Sequence, residues 1–249
     1  MAGHNKWSKV KHIKAKVDAV KGRVFSKCAH EIALAARAGG GDPAANARLR
    51  TAIDNAKAVS MPRENIERAI KKGTGELGGA VIQEVTYEGY GPSGTAFLIE
   101  IATDNLNRSA QDIRTIFSKN QGAAATPGAV AYQFDRKGEI ILNTDAGNDD
   151  EILEIAIMAG ADDVFSDDTE HVIHTPTNQL AAVAHELRAQ GLAIRSETFT
   201  SIPQTPVIID DPTVAKQALK LYDLLDSYDD TRNVFTNFEL SDAVLSQLN

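Results

Sequence analysis

The hydrophobic period of this chain changes across a glycine-rich stretch, Gly73, Gly75, Gly78 and Gly79, and that change limits the folds open to it. Before the stretch, Val10, Ile13, Val17, Val20, Val24, Cys28 and Ile32 recur in steps of three and four, the stripe of one amphipathic helix. After it, apolar residues alternate or run in short blocks, as strands do. No single layer pattern serves both halves, so the pattern predicts an α+β multidomain chain. Residues 1–75 form a basic helical domain in this reading. Residues 80–134 with 205–249 form a discontinuous α/β domain, and residues 135–204 are inserted into it.

Within the first part, Gly22 can interrupt the long helix over 10–36. Gly39, Gly40, Gly41, Asp42 and Pro43 then stop it and prepare the next. Two further helices are expected over 46–59 and 63–72, the second opened by Pro62. Beyond residue 80, strands are expected at 81–88, 95–102 and 129–134, with a helix at 108–119. Residues 138–200 read as strand 138–142, helix 150–158, strands 163–165 and 171–174, helix 179–189 and strand 193–199. That βαββαβ order is ferredoxin-like. A strand at 206–209, a helix at 214–227 and a strand at 233–238 would complete the sheet begun at 81–134.

Catalytic patterns are weak. Residues 89–94 match G-x-G-x-x-G, but a strand sequence follows and Pro92 lies inside, so the segment reads as a hairpin turn rather than a dinucleotide loop. His171 and His174 are three apart on a strand and so point to opposite faces. His30 is isolated, and Cys28 belongs to the apolar stripe, where a thiol is inert. Acidic pairs such as Asp162–Asp163 and Asp229–Asp230 fall at element ends, where solvated caps are the ordinary reading. No nucleophile elbow, phosphate loop or zinc spacing occurs, so no enzyme, no cofactor and no metal site is expected. With one cysteine, no internal disulfide can form. The longest apolar run behind the basic N-terminus is 32–36, too short for an export signal or a membrane span, and a cytoplasmic chain is expected.

Charge is more informative. The chain carries a formal net charge of −8, yet its first 27 residues hold seven Lys and one Arg against Asp18 alone. Residues 1–75 contain 16 Lys and Arg against 6 Asp and Glu; residues 76–249 contain 10 against 28. On a helix, Lys9, Lys16, Arg23 and Lys27 follow one flank of the apolar stripe over roughly 21 Å from Lys9 to Arg23, and Lys14 and Lys21 line the other. Lys6, Lys11, Trp7 and His12 extend this surface, the last two with rings that can stack on a base. Ordinary surface helices alternate charge sign, and this one has almost no acids to alternate with. We read the segment as a polyanion-binding surface. A solvated amphipathic helix, or attraction to the acidic half of the same molecule, is the alternative. Lysines position a protein on phosphates without reading bases. The tip at Gly39, Gly40, Gly41 and Asp42 lacks side-chain bulk and can enter a crowded RNA site, or it is a plain helix stop. Partners expected are therefore nucleic acid, DNA or structured ribosomal RNA, through 1–75. A protein partner on the acidic body is a separate alternative.

The segments "AGHNKWSKVKHIKAKVD", "LAARAGGGDP", "NIERAIKKGTG", "YEGYGPSGTAFLIEIATDNLNRS" and "GAVAYQFDRKGEI" together resemble the YebC/PmpR family, nearly end to end. The resemblance implies three domains, the first helical and the others α/β, with the third inserted into the second. It implies a cytoplasmic, non-enzymatic regulator. Some members are DNA-binding transcriptional regulators; others, including mitochondrial translational activators, act on translation at the ribosome. The chain departs from the family pattern at Ile13, where a basic residue is common, and at Leu106 and Ser109 in the "TDNxNR" segment.

Overall fold

The structure, a computed structural model, describes residues 20–78 and 82–248. It is mixed α+β and separates into two compact units, one of them residues 132–208 and the other the described parts of 14–131 and 209–249.

The second unit opens with three helices, α1 (Val20–Gly39), α2 (Ala47–Ala58) and α3 (Arg63–Gly73). The expected helix over 10–36 is described only from Val20, and it runs through Gly22 without interruption. Ile32, Leu49, Ala56, Met61 and Ile66 form the bundle core, with Cys28 packed against its edge. Burial pushes the Cys28 thiol up, away from the reactive thiolate. On its other side α1 presents Ala33 and Leu34 to Ile82, just before the following sheet, and to Ala102 within it.

That sheet begins with the hairpin β1 (Gln83–Tyr90) and β2 (Ala96–Thr103), then α4 (Leu106–Lys119) and the short β3 (Ala123–Ala125). The G-x-G-x-x-G segment closes the hairpin: Tyr90 opposes Ala96, and the Gly91 N–H donates to the Thr95 carbonyl at 2.7 Å. One face of β2 packs on α1, while Phe97 on the other meets the Phe117 ring edge-on at 6.0 Å. Burial on both faces explains its continuous apolar sequence.

The expected strand at 129–134 is not one. Val130 and Ala131 donate their N–H groups to the Glu88 carboxylate at 2.7 and 2.9 Å, and Gly128 donates to it as well, so these amides cannot enter a ladder. Residues Ala131–Gln133 form a 3-10 turn instead.

The unit 132–208 contains β4 (Phe134–Asn143), α5 (Asp149–Met158), β5 (Asp163–Ser166), β6 (Glu170–Thr175), α6 (Leu180–Ala189) and β7 (Ile194–Pro203). Its sheet has the order β5-β6-β4-β7, antiparallel throughout. This is the split βαβ arrangement. Ile140, Leu142, Ile152, Ile173, Val183 and Leu187 fill the space between sheet and helices. A complete capping box at Asn148 and Glu151 starts α5. His171 meets Ser166 Oγ at 2.7 Å, and His174 lies against the Phe165 ring at 5.3 Å.

After β8 (Val207–Ile209) the chain adds α7 (Pro212–Asp226), β9 (Thr231–Thr236), β10 (Phe238–Leu240) and α8 (Asp242–Leu248). Strand β9 pairs with β2, giving the order β3-β1-β2-β9, whereas β8 stays outside this sheet. The expectation that 206–209 would join it is thus corrected: β8 pairs with β10 in a two-stranded sheet of its own. Strands β3 and β10 and helix α8 have no counterpart among the expected elements, being short or alanine-rich and so nearly without periodic signal. Among the described residues, no helix is long and apolar enough to cross a membrane.

Candidate nucleic-acid interface

Of the residues the sequence singles out, Lys6, Trp7, Lys9, Lys11, His12, Lys14 and Lys16 lie outside the described residues. Lys21 and Arg23 fall on the backbone of α1, and their side chains are likewise outside. Lys27 is described. Its ammonium pairs with Asp226 on α7 at 2.6 Å, both side chains partly exposed, so this cation faces the body of its own unit.

Gly39, Gly40, Gly41 and Asp42 form an exposed turn between α1 and α2. Gly40 has φ +85°, a left-handed conformation that favours glycine, and its N–H ends α1 on the Ala36 carbonyl at 2.8 Å. Buried Asn46 organises the rest. Its Nδ2 donates to the carbonyls of Ala35 and Gly40 at 2.8 and 2.9 Å, while its Oδ1 accepts from the Leu49 N–H at 3.0 Å as the N-cap of α2. Gly39 lies so close to this amide that a Cβ there would stand 2.7 Å from Asn46 Nδ2. Asp42 Oδ1 accepts from the Ala44 N–H at 2.8 Å. Arg50 clamps the far side, donating to the Pro43 and Ala44 carbonyls at 3.0 Å each. Gly41 sits beside the end of α3, against Ile70 and Thr74. The turn is therefore bare on the outside and fixed on the inside.

Polar links bind the bundle to the sheet. Lys72 meets Asp104 at 3.3 Å; Arg48 meets Glu31 at 2.9 Å and Glu84 at 3.2 Å; Arg232 pairs with Glu31 and Glu84; Arg37 donates to the Ile82 carbonyl. Behind Asp104 lies buried Asp230, whose Oδ2 accepts from Thr103 Oγ1 at 2.8 Å, Ser109 Oγ at 3.1 Å and Arg108 Nη2 at 2.9 Å. Burial alone would raise the Asp230 pKa, but Arg108 and the two hydroxyls outweigh it and hold the carboxyl below its ordinary range. The same pairing drives the Arg108 guanidinium further up. His30 faces this region with a buried Nδ1 that has no hydrogen-bond partner among the described residues. Burial pulls its imidazole pKa down, against Asp230, which pushes it up.

Two features escape a reading of the sequence. Asn46 is visible as a helix-start residue, but its reach back to Ala35 and Gly40 needs the folded turn. Ser109 and Thr103 belong to the "TDNLNRS" segment, yet their partner Asp230 lies more than a hundred residues away.

Comparison with known proteins bears on the whole chain. A family model described as the TACO1/YebC protein N-terminal domain matches residues 5–76, and one described as the TACO1/YebC second and third domain matches 82–238. A protein of Akkermansia muciniphila named probable transcriptional regulatory protein is 57% identical over 100% of both chains. One of Desulfosudis oleivorans with the same name is 51% identical over 98% of this chain and 99% of its own. The crystal structure of a conserved hypothetical protein from Aquifex aeolicus superposes with a TM-score of 0.85 at 44% identity, covering 93% of this chain and 96% of that one. With family models spanning both the helical segment and the sheets, this chain belongs to the TACO1/YebC family.

Proposed function

We propose that this protein is a cytoplasmic, non-enzymatic regulator of gene expression that binds nucleic acid through its basic N-terminal domain. The observation that carries the reading is the run of eight Lys and Arg in the first 27 residues of a chain of net charge −8. Counter-ion release from the target makes such a run an affinity device for phosphates. Lys6, Lys9, Lys11, Lys14, Lys16, Lys21 and Arg23 neutralise phosphates, and Trp7 and His12 stack beside them. Relatives named probable transcriptional regulatory proteins support the regulatory part. Lys27 contributes less than its position in the run implies, because it already has Asp226. The protein is organised as three domains, with 135–204 inserted between two segments of the second.

A second reading, binding to structured ribosomal RNA, is favoured by the bare, fixed turn at 39–42, which admits close approach of a crowded backbone. Crosslinking in living cells, followed by sequencing of both DNA and RNA, tests the two together. Enrichment of chromosomal sites supports transcription, and enrichment of ribosomal RNA supports translation. Recovery of neither above an untagged control would refute nucleic-acid binding.

A further inference from the structure

Most cations of the bundle are occupied. Lys27, Arg48, Lys57, Arg63 and Lys72 each hold a carboxylate within 3.3 Å. Arg50, Arg68 and Lys71 differ: all are exposed, and none has a carboxylate partner among the described residues. Arg50 and Lys71 border the turn between α1 and α2 from its two sides, and Arg68 lies one helical turn beyond Lys71. Arg50 bonds its far side through the Pro43 and Ala44 carbonyls. Lys71 occupies the last turn of α3, between Ile70 and Thr74, the residues that flank Gly41, and the Thr74 hydroxyl donates to its carbonyl at 3.2 Å. Arg68 lies one turn earlier on the same face of α3, its guanidinium steadied by Asn65 Oδ1 at 2.7 Å.

A guanidinium has five N–H donors, and the two carbonyl bonds use two of those of Arg50. The rest are available to an anion, on a side chain whose orientation is already fixed. Beside it opens a shallow groove of about 300 Å³, lined by Pro43, Ala44, Arg50, Ile53, Asp54 and Lys57. That is the lower end of the range for small-ligand clefts, with an apolar wall of Pro43, Ala44 and Ile53, Arg50 on its rim, and the Lys57–Asp54 pair, mutually neutralised at 3.2 Å, closing it.

Building on the proposed function, we infer that the turn at 39–44, with Arg50, Arg68 and Lys71, is a second phosphodiester-binding surface of this protein. In it the arginines and the lysine take backbone phosphates, and the groove beside Arg50 receives one unstacked nucleotide. This surface is rigid and shaped, unlike a run of lysines, because Asn46 and Arg50 tie the turn to α1 and α2 before any ligand arrives. Both DNA and RNA offer the phosphates; a stem–loop RNA also offers the splayed nucleotide.

The test compares full-length wild type, R50Q/R68Q/K71Q and K9A/K16A/R23A by salt titration of affinity for a duplex DNA and for a stem–loop RNA. Removing one phosphate-binding cation lowers the slope of log K against log salt by about 0.7–0.9. The bundle variant should therefore lose about two units on at least one ligand. R68Q/K71Q, which leaves the Arg50 clamp intact, should lose more than one unit and guards against a misfolded turn. An unchanged slope for both bundle variants on both ligands, while K9A/K16A/R23A lowers it, overturns this inference and leaves the proposed function standing. Wild type that binds neither ligand overturns both.

Discussion

The helical bundle and the unit 132–208 use positive charge in opposite ways. Residues 132–208 hold four Lys and Arg among fourteen Asp and Glu, and those four all have local work. Lys137 pairs with Asp162 at 2.6 Å, Arg188 with Glu197 at 2.7 Å and Arg195 with Glu170, while Arg136 lies 5.7 Å from the Phe199 ring centre. Residues 20–75 hold eleven against five, and Arg37, Arg50, Arg68 and Lys71 are left without a carboxylate among the described residues. Fully matched cations serve the fold. Unmatched ones on an exposed, fixed surface can serve a partner.

The largest effects that sharpen this contrast are in the two cores. Leu187→Ala in one unit and Leu49→Ala in the other should each cost about 2–5 kcal/mol, since both side chains are fully buried. Calorimetry of the full chain should show each change lowering a different transition. A single transition shifted equally by both would mean that the two regions unfold as one and cannot be contrasted so simply. Next comes Asp230→Ala, which strips Arg108, Thr103 and Ser109 of their shared acceptor and should destabilise the unit by about 2–4 kcal/mol in urea titration.

A smaller effect follows pH. The folded His30 imidazole has a lowered pKa, so between that value and the unfolded value of about 6.5 the unfolded chain binds more protons. Stability of the unit containing the bundle should therefore be complete above about pH 6.5 and fall as acid is added. His30→Gln should flatten this dependence, and an unaltered profile would remove His30 from the account. Smallest is Arg188→Ala, an exposed pair worth about 0.2–1 kcal/mol and irrelevant to nucleic-acid affinity.

Much of this is legible in the sequence, for a local reason. The stripe through Cys28 and Ile32, the stop at Gly40 and the βαββαβ series of 134–203 are patterns within one element or one turn. By rank in the chain the two four-stranded sheets differ: β5-β6-β4-β7 runs second, third, first, fourth, and β3-β1-β2-β9 runs third, first, second, fourth. In the second, β1 and β2 form the hairpin that the turn at 89–94 announces locally, whereas the pairing of β9 with β2 joins segments more than a hundred residues apart and has no local signal. The strand expected at 129–134 fails for a related reason: its amides are claimed by Glu88, forty residues earlier. The site divides along the same line. Charge density at the N-terminus is readable from composition, but which cation already has an acid, as Lys27 has Asp226, depends on the fold.

On the proposed function, N-terminal cations face an external polyanion and those of 132–208 do not. Salt titration of nucleic-acid affinity for K9A/K16A/R23A and for K137A/R188A/R195A, side by side on duplex DNA and on structured ribosomal RNA, tests it most directly. The first variant should lose roughly two units of salt slope, and the second should keep the wild-type slope on both ligands. Equal losses, or a slope unchanged in the first variant on both ligands, would contradict it.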